Sequence, residues 1–279
     1  MCLLIAVGAV STGCTRGSDQ GNACCSGEIE LDPTLAAIDV EAFQNCVGLT
    51  GSLVIPDSVV IIGMNAFRYC SGLTTLTIGS GVEEIHLRAF TGCTGFTGDL
   101  IIPDNVRSLG GWSFLDCSGF DGSLTISDNV PTIGSRAFMG CSGFSGTLII
   151  PDSVSTIGDL AFKNCAGFTG NLAIPVSVTR IYGSAFSDCS NIASITVYEH
   201  TVVDNDVFTG SVVPIIVTSD PTGQPTSQPT RDLSFKKFVH DEITDTAVGV
   251  FEYFGELKSE CRNVLRGFRD SIRPRSYRK

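Results

Sequence analysis

Seven cysteines stand at 46, 70, 93, 117, 141, 165 and 189, each three residues after a phenylalanine at 43, 67, 90, 114, 138, 162 and 186. Thiols are the most versatile reactive groups in this chain, since they ligate zinc, pair as disulfides or attack electrophiles. Zinc, however, needs ligands gathered around one point at short spacings such as C-x-x-C. A step of 23 or 24 residues instead sets the thiols in single file, one per structural layer. Neighbouring Cα atoms in such a file fall within the roughly 4.4–6.8 Å range of disulfides, but their Cβ vectors run parallel rather than converging. Cys46, Cys70, Cys93, Cys117, Cys141, Cys165 and Cys189 are therefore expected to be buried thiols that pack as small hydrophobes, with some disulfides as the alternative and no metal. Outside the file, Cys14 with Cys24 or Cys25 is the pair best placed for a disulfide in an oxidising compartment.

Other catalytic chemistry finds little purchase. His86, His200 and His240 lie in unrelated contexts, and no G-x-S-x-G, H-E-x-x-H or P-loop occurs. Glu83 and Glu84 are adjacent, so on an extended segment their carboxylates point to opposite faces. The recurring Asp57, Asp104, Asp128 and Asp152 would stack along one edge, but calcium wants six or more oxygens, and turn-forming Asp is the simpler role. The reading is no enzyme and no cofactor.

The elements that carry these residues repeat with the same period. An apolar pair two residues apart precedes each Phe, as at Leu53/Ile55, Leu76/Ile78, Leu100/Ile102, Leu124/Ile126, Leu148/Ile150 and Leu172/Ile174. Such a pair is a strand with one face turned inward. Pro56-Asp57-Ser58, Pro103-Asp104-Asn105 and Pro151-Asp152-Ser153 end that strand, because Pro cannot donate to a ladder and Asp or Asn bonds its own backbone. A second short extended piece follows, for example Val59 to Ile62, and then a glycine and the Ala-Phe turn. One unit cannot bury its own apolar side, so the units must stack, about 4.8 Å apart along the pairing direction. The column Phe43, Phe67, Phe90, Phe114, Phe138, Phe162 and Phe186 is predicted to form the spine of that stack together with the cysteines.

The pattern L-x-I-P-D-S-V-x-x-I-G-x-x-A-F-x-x-C, as it stands from Leu148 to Cys165, resembles the BspA-like class of leucine-rich repeats, and the likeness extends over about residues 28–210. The resemblance implies an α/β, β-rich repeat wound as a right-handed solenoid with a parallel sheet along one face. It also implies membership of a group often found on cell surfaces in adhesive or recognition roles. Departures from the pattern are local: Gly79-Ser80-Gly81 replaces Pro-Asp-Ser in the single 23-residue unit, Ser113 replaces Ala beside Trp112, the only Trp, and no Cys follows Phe208. A last strand is expected within Val212 to Val217.

Side chains flanking each inward pair should point out of the sheet. They include Val54, Thr75, Thr77, Ile101, Ser123, Thr125, Thr147, Ile149, Asn171 and Thr196, a smooth strip of hydroxyl, amide and aliphatic groups. It lacks the Trp, Tyr and Arg of most tight interfaces. A protein or glycan ligand on this face is the expectation. Only Thr75-Leu76-Thr77 shows a Thr-x-Thr pattern, too little for an ice-binding array.

Charge divides the chain. Residues 1–230 carry 7 basic and 21 acidic side chains, a balance of −14, whereas 231–279 carry 11 and 8, a balance of +3. An acidic body repels phosphates, so no nucleic acid is expected. The longest apolar run, Cys2 to Val10, is too short for a membrane span but resembles the apolar part of a signal peptide, so residues 1–27 form a separate N-terminal segment ahead of a solenoid over 28–217. Residues 218–231 make a linker with Pro at 221, 225 and 229, a spacer that resembles the Ser/Thr/Pro stalks of surface proteins. Residues 232–279 carry apolar side chains at steps of three and four, from Phe235 through Phe251 and Leu257 to Ile272, the mark of an amphipathic helix. Its basic end, with Lys258, Arg262, Arg266, Arg269 and Arg273, suits a partner protein or an anionic membrane, and self-association and docking on the acidic solenoid are the other options. These features point to an extracellular or cell-surface location, with a cytoplasmic scaffold as the alternative.

Overall fold

A computed structural model describes residues 2–4, 9–11, 26–211 and 214–219. The chain winds into a parallel-strand β-solenoid of about eight coils, one for each Phe from 43 to 208. The coils contribute strands to two columns. The first column contains the inward apolar pair: Ser26–Leu31, Gly48–Val54, Leu73–Thr77, Leu100–Ile101, Leu124–Thr125, Gly170–Ala173, Ile192–Tyr198 and Ile215–Thr218. The second contains shorter pieces: Ala37–Ile38, Ile61–Ile62, Glu84–Ile85, Ser108–Leu109, Thr132–Ile133, Thr156–Ile157, Arg180–Ile181 and Val202–Val203. Pairing between successive coils is parallel and keeps the repeat in phase, with Leu53 opposite Leu76, Leu100 opposite Leu124, and Ile133 opposite Ile157.

The expected single sheet along one face is therefore two ladders, and both are interrupted: the first between Leu73–Thr77 and Leu100–Ile101 and between Leu124–Thr125 and Gly170–Ala173, the second between Ser108–Leu109 and Thr132–Ile133. Beside the paired strands Leu100–Ile101 and Leu124–Thr125, the Asp99 carboxylate accepts both the Ser123 N–H at 2.6 Å and its hydroxyl at 2.8 Å. Residues 147–150 keep an alternating exposed–buried pattern without forming a ladder strand. The last strand among the described residues is Ile215–Thr218, which overlaps the expected Val212 to Val217. At the other end, Cys2–Leu4 and Ala9–Ser11, the stretch read as a signal-peptide core, form an antiparallel pair that continues the sheet from Ser26–Leu31.

The α of the α/β expectation is not found, since the described residues contain no helix. The Ala-Phe segment shows why. Alternate amides there close tight turns within the coil (Ala42 to Asp39, Gln44 to Glu41, Cys46 to Phe43), while those between them donate to the next coil (Glu41 to Met64, Phe43 to Ala66, Asn45 to Arg68). Turning every second N–H towards a neighbour requires left-handed residues. Glu41 and Asn45 have φ of 59° and 61°, and the same two positions recur as Asn65 and Tyr69, Trp112 and Asp116, Leu160 and Asn164, Ser184 and Asp188. Two left-handed residues in five preclude a right-handed helix, and the strain of order 1 kcal/mol at each is offset because every amide in the segment is bonded.

The core is two ladders of aromatic rings inside this frame. Phe43, Phe67, Phe90, Phe114, Phe138, Phe162, Phe186 and Phe208 stack with centroids 5.0–5.9 Å apart and planes within 17° of parallel. Phe96, Phe120, Phe144 and Phe168 form a second stack with centroids 5.3–5.5 Å apart, and Leu49, Leu73 and Ile192 are the buried residues at the equivalent position in other coils. In the 23-residue coil the backbone runs unusually close to the coil before it. A Cβ at Gly81 would overlap the Asp57 carbonyl oxygen, so glycine replaces the Ser of the usual turn.

Candidate functional site

The seven thiols are buried and free of disulfides, and no group of ligands suited to a metal occurs among the described residues. They are more than small hydrophobes. From Cys70 onward each coil's Sγ–H donates to the carbonyl of the Phe one coil earlier: Cys70 to Phe43, Cys93 to Phe67 and Cys117 to Phe90 at 3.0 Å, and Cys141, Cys165 and Cys189 to Phe114, Phe138 and Phe162 at 3.0–3.1 Å. That carbonyl also accepts the Cys amide of its own coil, so the thiol fills its second lone pair. After Phe208 the Cys position is held by Ser211, whose hydroxyl donates to Phe186 O at 3.1 Å in the same way. Burial pushes the thiols of Cys93, Cys117, Cys141 and Cys165 well above the ordinary range, and that of Cys189 up to about 12. Protonated and enclosed, this column is structural rather than reactive.

The sheet-face strip lies where strand alternation puts it. Val54, Thr75, Thr77, Ile101, Ser123, Thr125, Thr147, Ile149 and Asn171 are exposed and Thr196 is half-buried, each beside a buried Leu or Ile. One file of the strip alternates large and small groups from Val54 through Thr77, Ile101, Thr125 and Ile149 to Ala173, and ends with Thr196 and Ile216. Its aliphatic members are well exposed, Ile101 at 58% and Ile149 at 70%. The parallel file from Ser52 to Ser194 is polar and holds Asp99, whose carboxyl the Ser123 amide and hydroxyl keep below the usual range.

The remaining candidates do not assemble into a catalytic group. His86 pairs with Glu84 at 2.8 Å, and His200 bonds the Val176 carbonyl at 2.8 Å. Arg107 pairs with Glu83, and Arg180 with Asp204 at 3.1 Å. The recurring aspartates sit in turns, where Asp57 accepts the Ser80 amide and hydroxyl. No helix among the described residues is long and apolar enough to cross a membrane. The Cys14 disulfide, most of the linker, His240 and the helix with Lys258, Arg262, Arg266, Arg269 and Arg273 lie outside the described residues.

This geometry, a period of 24 residues with Phe and Cys columns inside two parallel ladders, accords with comparison to known families. The BspA type leucine rich repeat region matches in six copies over residues 36–164 and 122–220. The chain belongs to that family. Solved structures similar to this BspA-type chain include a leucine-rich repeat protein from Bacteroides ovatus, 21% identical over 74% of this chain and 70% of that one, with a TM-score of 0.43. A leucine rich cell surface protein from Faecalibacterium prausnitzii is 25% identical over 69% of this chain and 54% of its own, with a TM-score of 0.43. The pneumococcal vaccine antigen PcpA is 20% identical over 68% of this chain and 50% of its own, with a TM-score of 0.46. No curated protein sequence matches.

Three features of this BspA-type solenoid went unread in the sequence. The second Phe stack is visible there as Gly-Phe at 95–96, 119–120, 143–144 and 167–168. Ser211 is visible as the residue three after Phe208. The third is a stack on the turn edge: the Arg88 guanidinium carbon lies 3.8 Å from the centre of the Trp112 ring, and that of Arg136 5.3 Å from it. Its signal is the 24-residue step from 88 to 112 to 136.

Proposed function

We propose that the chain is a non-catalytic recognition module of the cell surface or extracellular space, which binds a protein or glycan along the outward strip from Val54 to Thr196. The observation that carries this reading is the exposure of a regular file of aliphatic and hydroxyl side chains on a rigid frame, roughly 30 Å long at the spacing of paired strands. The strip bears one charged side chain, Asp99, so little desolvation opposes contact with a flat partner. Repeat frames of this kind present extended surfaces whose outward residues vary while the inward ones are held.

The test is a printed panel of purified glycans and secreted proteins probed with the full chain and with an Ile101→Glu/Ile149→Glu variant. Both positions are exposed, so the variant should melt with the parent, and any ligand of the strip should lose about tenfold or more in affinity. A panel hit that the variant binds equally well, or a panel with no hit, would overturn the proposal.

A second reading places the work in 232–279, where Lys258, Arg262, Arg266, Arg269 and Arg273 would meet a partner protein or anionic membrane. The charge contrast supports it, +3 in 231–279 against −14 in the rest. Replacing those five residues with Gln would then abolish binding that the Ile101→Glu/Ile149→Glu variant retains.

A further inference from the structure

The strip holds no Trp, Arg or Tyr among its ten candidate residues, whereas the turn edge of neighbouring coils concentrates all three. Arg88, Trp112 and Arg136 occupy the same left-handed position in three successive coils, with φ of 57°, 57° and 55°. Their backbones are fixed by the ladder and their side chains are all half-buried, so Trp112 stands between two guanidinium groups. On an adjacent column, Arg68 lies 4.7 Å from the centre of the Tyr69 ring and donates to the Tyr69 hydroxyl at 3.2 Å. Tyr69, 42% exposed, leans over Gly92, where a Cβ would collide with its ring. Arg136 also lies 3.5 Å from the Asp159 carboxylate.

We propose that this turn-edge cluster is a binding site for an acidic peptide. Trp, Tyr and Arg are the residues that dominate interface energetics, and guanidiniums stacked on aromatic faces still direct their in-plane donors outward to carboxylates. Residues 1–230 are otherwise strongly acidic, with 21 acidic side chains to 7 basic, so an anionic partner is repelled elsewhere and steered to the cations here. Arg88 and Arg136 are two coils apart, about 9.6 Å at the spacing of paired strands, so one peptide can reach both. A glycan of the same charge fits less well. Sugar rings bind open aromatic faces, and Arg88 and Arg136 both lie over the indole. The half-buried Leu115 and Met139 beside the cluster add apolar contacts of the kind a peptide uses.

A fluorescein-labelled octa-aspartate peptide, titrated against the full chain by anisotropy at low salt, tests this. The expected results are saturable binding, a loss of about tenfold or more in Arg88→Gln/Arg136→Gln and in Trp112→Ala, and no change in Arg107→Gln, a cation paired with Glu83 on the second ladder. Oligogalacturonate of equal charge should compete at least tenfold less well. The proposal is overturned if no binding is seen up to about 1 mM, or if Arg107→Gln loses as much as the cluster variants. It is equally overturned if oligogalacturonate competes as well as unlabelled peptide, which would indicate a glycan site. Loss confined to a variant with Arg262, Arg266, Arg269 and Arg273 changed to Gln would assign the binding to the C-terminal segment and also overturn it.

Discussion

Replacing Cys141 with Ser and with Ala separates two roles that a buried thiol can play. The Phe114 carbonyl accepts the Cys117 amide at 3.2 Å and the Cys141 thiol at 3.0 Å. Cys141→Ala removes the second bond, worth about 0.5–1 kcal/mol, and deletes a buried sulfur, costing about 1 kcal/mol more with its small cavity. The total is about 2 kcal/mol. Cys141→Ser keeps a donor, and the chain already uses that exchange where Ser211 bonds Phe186 O at 3.1 Å. Its cost should be about 1 kcal/mol, from the shorter side chain and the more strongly hydrated hydroxyl. The expected order of urea midpoints is therefore parent, then Cys141→Ser, then Cys141→Ala. If the thiols were apolar filler alone, an unpaired buried hydroxyl would cost about 1–3 kcal/mol and Ser would be the worse replacement. Far-UV circular dichroism during urea unfolding decides the matter, with equal m-values required for the comparison. Finding Ala at least as stable as Ser would refute the hydrogen-bond account.

Other consequences follow from the same columns. Phe138→Ala, which breaks the longer ring stack at a fully buried position, should cost about 3–5 kcal/mol, whereas Phe144→Leu should cost about 1–2 kcal/mol because Leu49 and Leu73 already serve at that position. Chemical denaturation of both variants checks the ranking. Ser113 sits in a column held by Ala at 42, 66, 89, 137, 161 and 185, with a fully buried hydroxyl that has no partner, so Ser113→Ala should raise stability by about 1 kcal/mol and lift the melting temperature by a few degrees. Burial keeps the thiols protonated in the folded chain above the unfolded value of about 8.5, so stability is intact below about pH 8 and falls as pH rises, by about 1.4 kcal/mol per pH unit for each such thiol, until the folded value (about 12 for Cys189) is passed. A melting temperature that stayed flat from pH 7 to about 10.5 would contradict it.

Much of the fold is legible because the inward columns repeat one chemistry. The Leu-x-Ile pairs, the Pro-Asp turns and the Phe and Cys columns each satisfy the same contact once per coil, so composition and period reveal them. The left-handed turn positions leave no such trace. Glu41, Trp112, Leu160 and Ser184 share a φ of 52–59° although none is a residue favoured there. Hydrogen bonds to the neighbouring coil set that conformation, and local preference is overridden. The sheet breaks leave no such trace either, since residues at them keep the inward alternation, as 147–150 do. In the candidate strip, period-2 alternation gave the outward direction of Ile101 and Ile149. A face of hydroxyls and aliphatics carries few donors in fixed directions, so its sequence specifies a surface better than it specifies a ligand.

The same contrast bears on where recognition can reside. A position whose amide is held by the next coil and whose carbonyl closes a turn in its own coil tolerates almost any side chain, and the left-handed column does so, with Glu41, Asn65, Arg88, Trp112, Arg136, Leu160 and Ser184 in turn. Such freedom costs the fold little, because no core contact depends on which side chain is present. An indole placed at such a position, outside the core and between two guanidiniums, contributes cation–π attraction of about 0.5–1 kcal/mol per contact, no more than offsetting its backbone strain. Stability alone therefore gives no reason for Trp over the Asn that stands at position 65. A partner with carboxylates supplies one, and the strip of Val54, Ile101 and Ile149 then adds a second, uncharged surface on the same rigid coils.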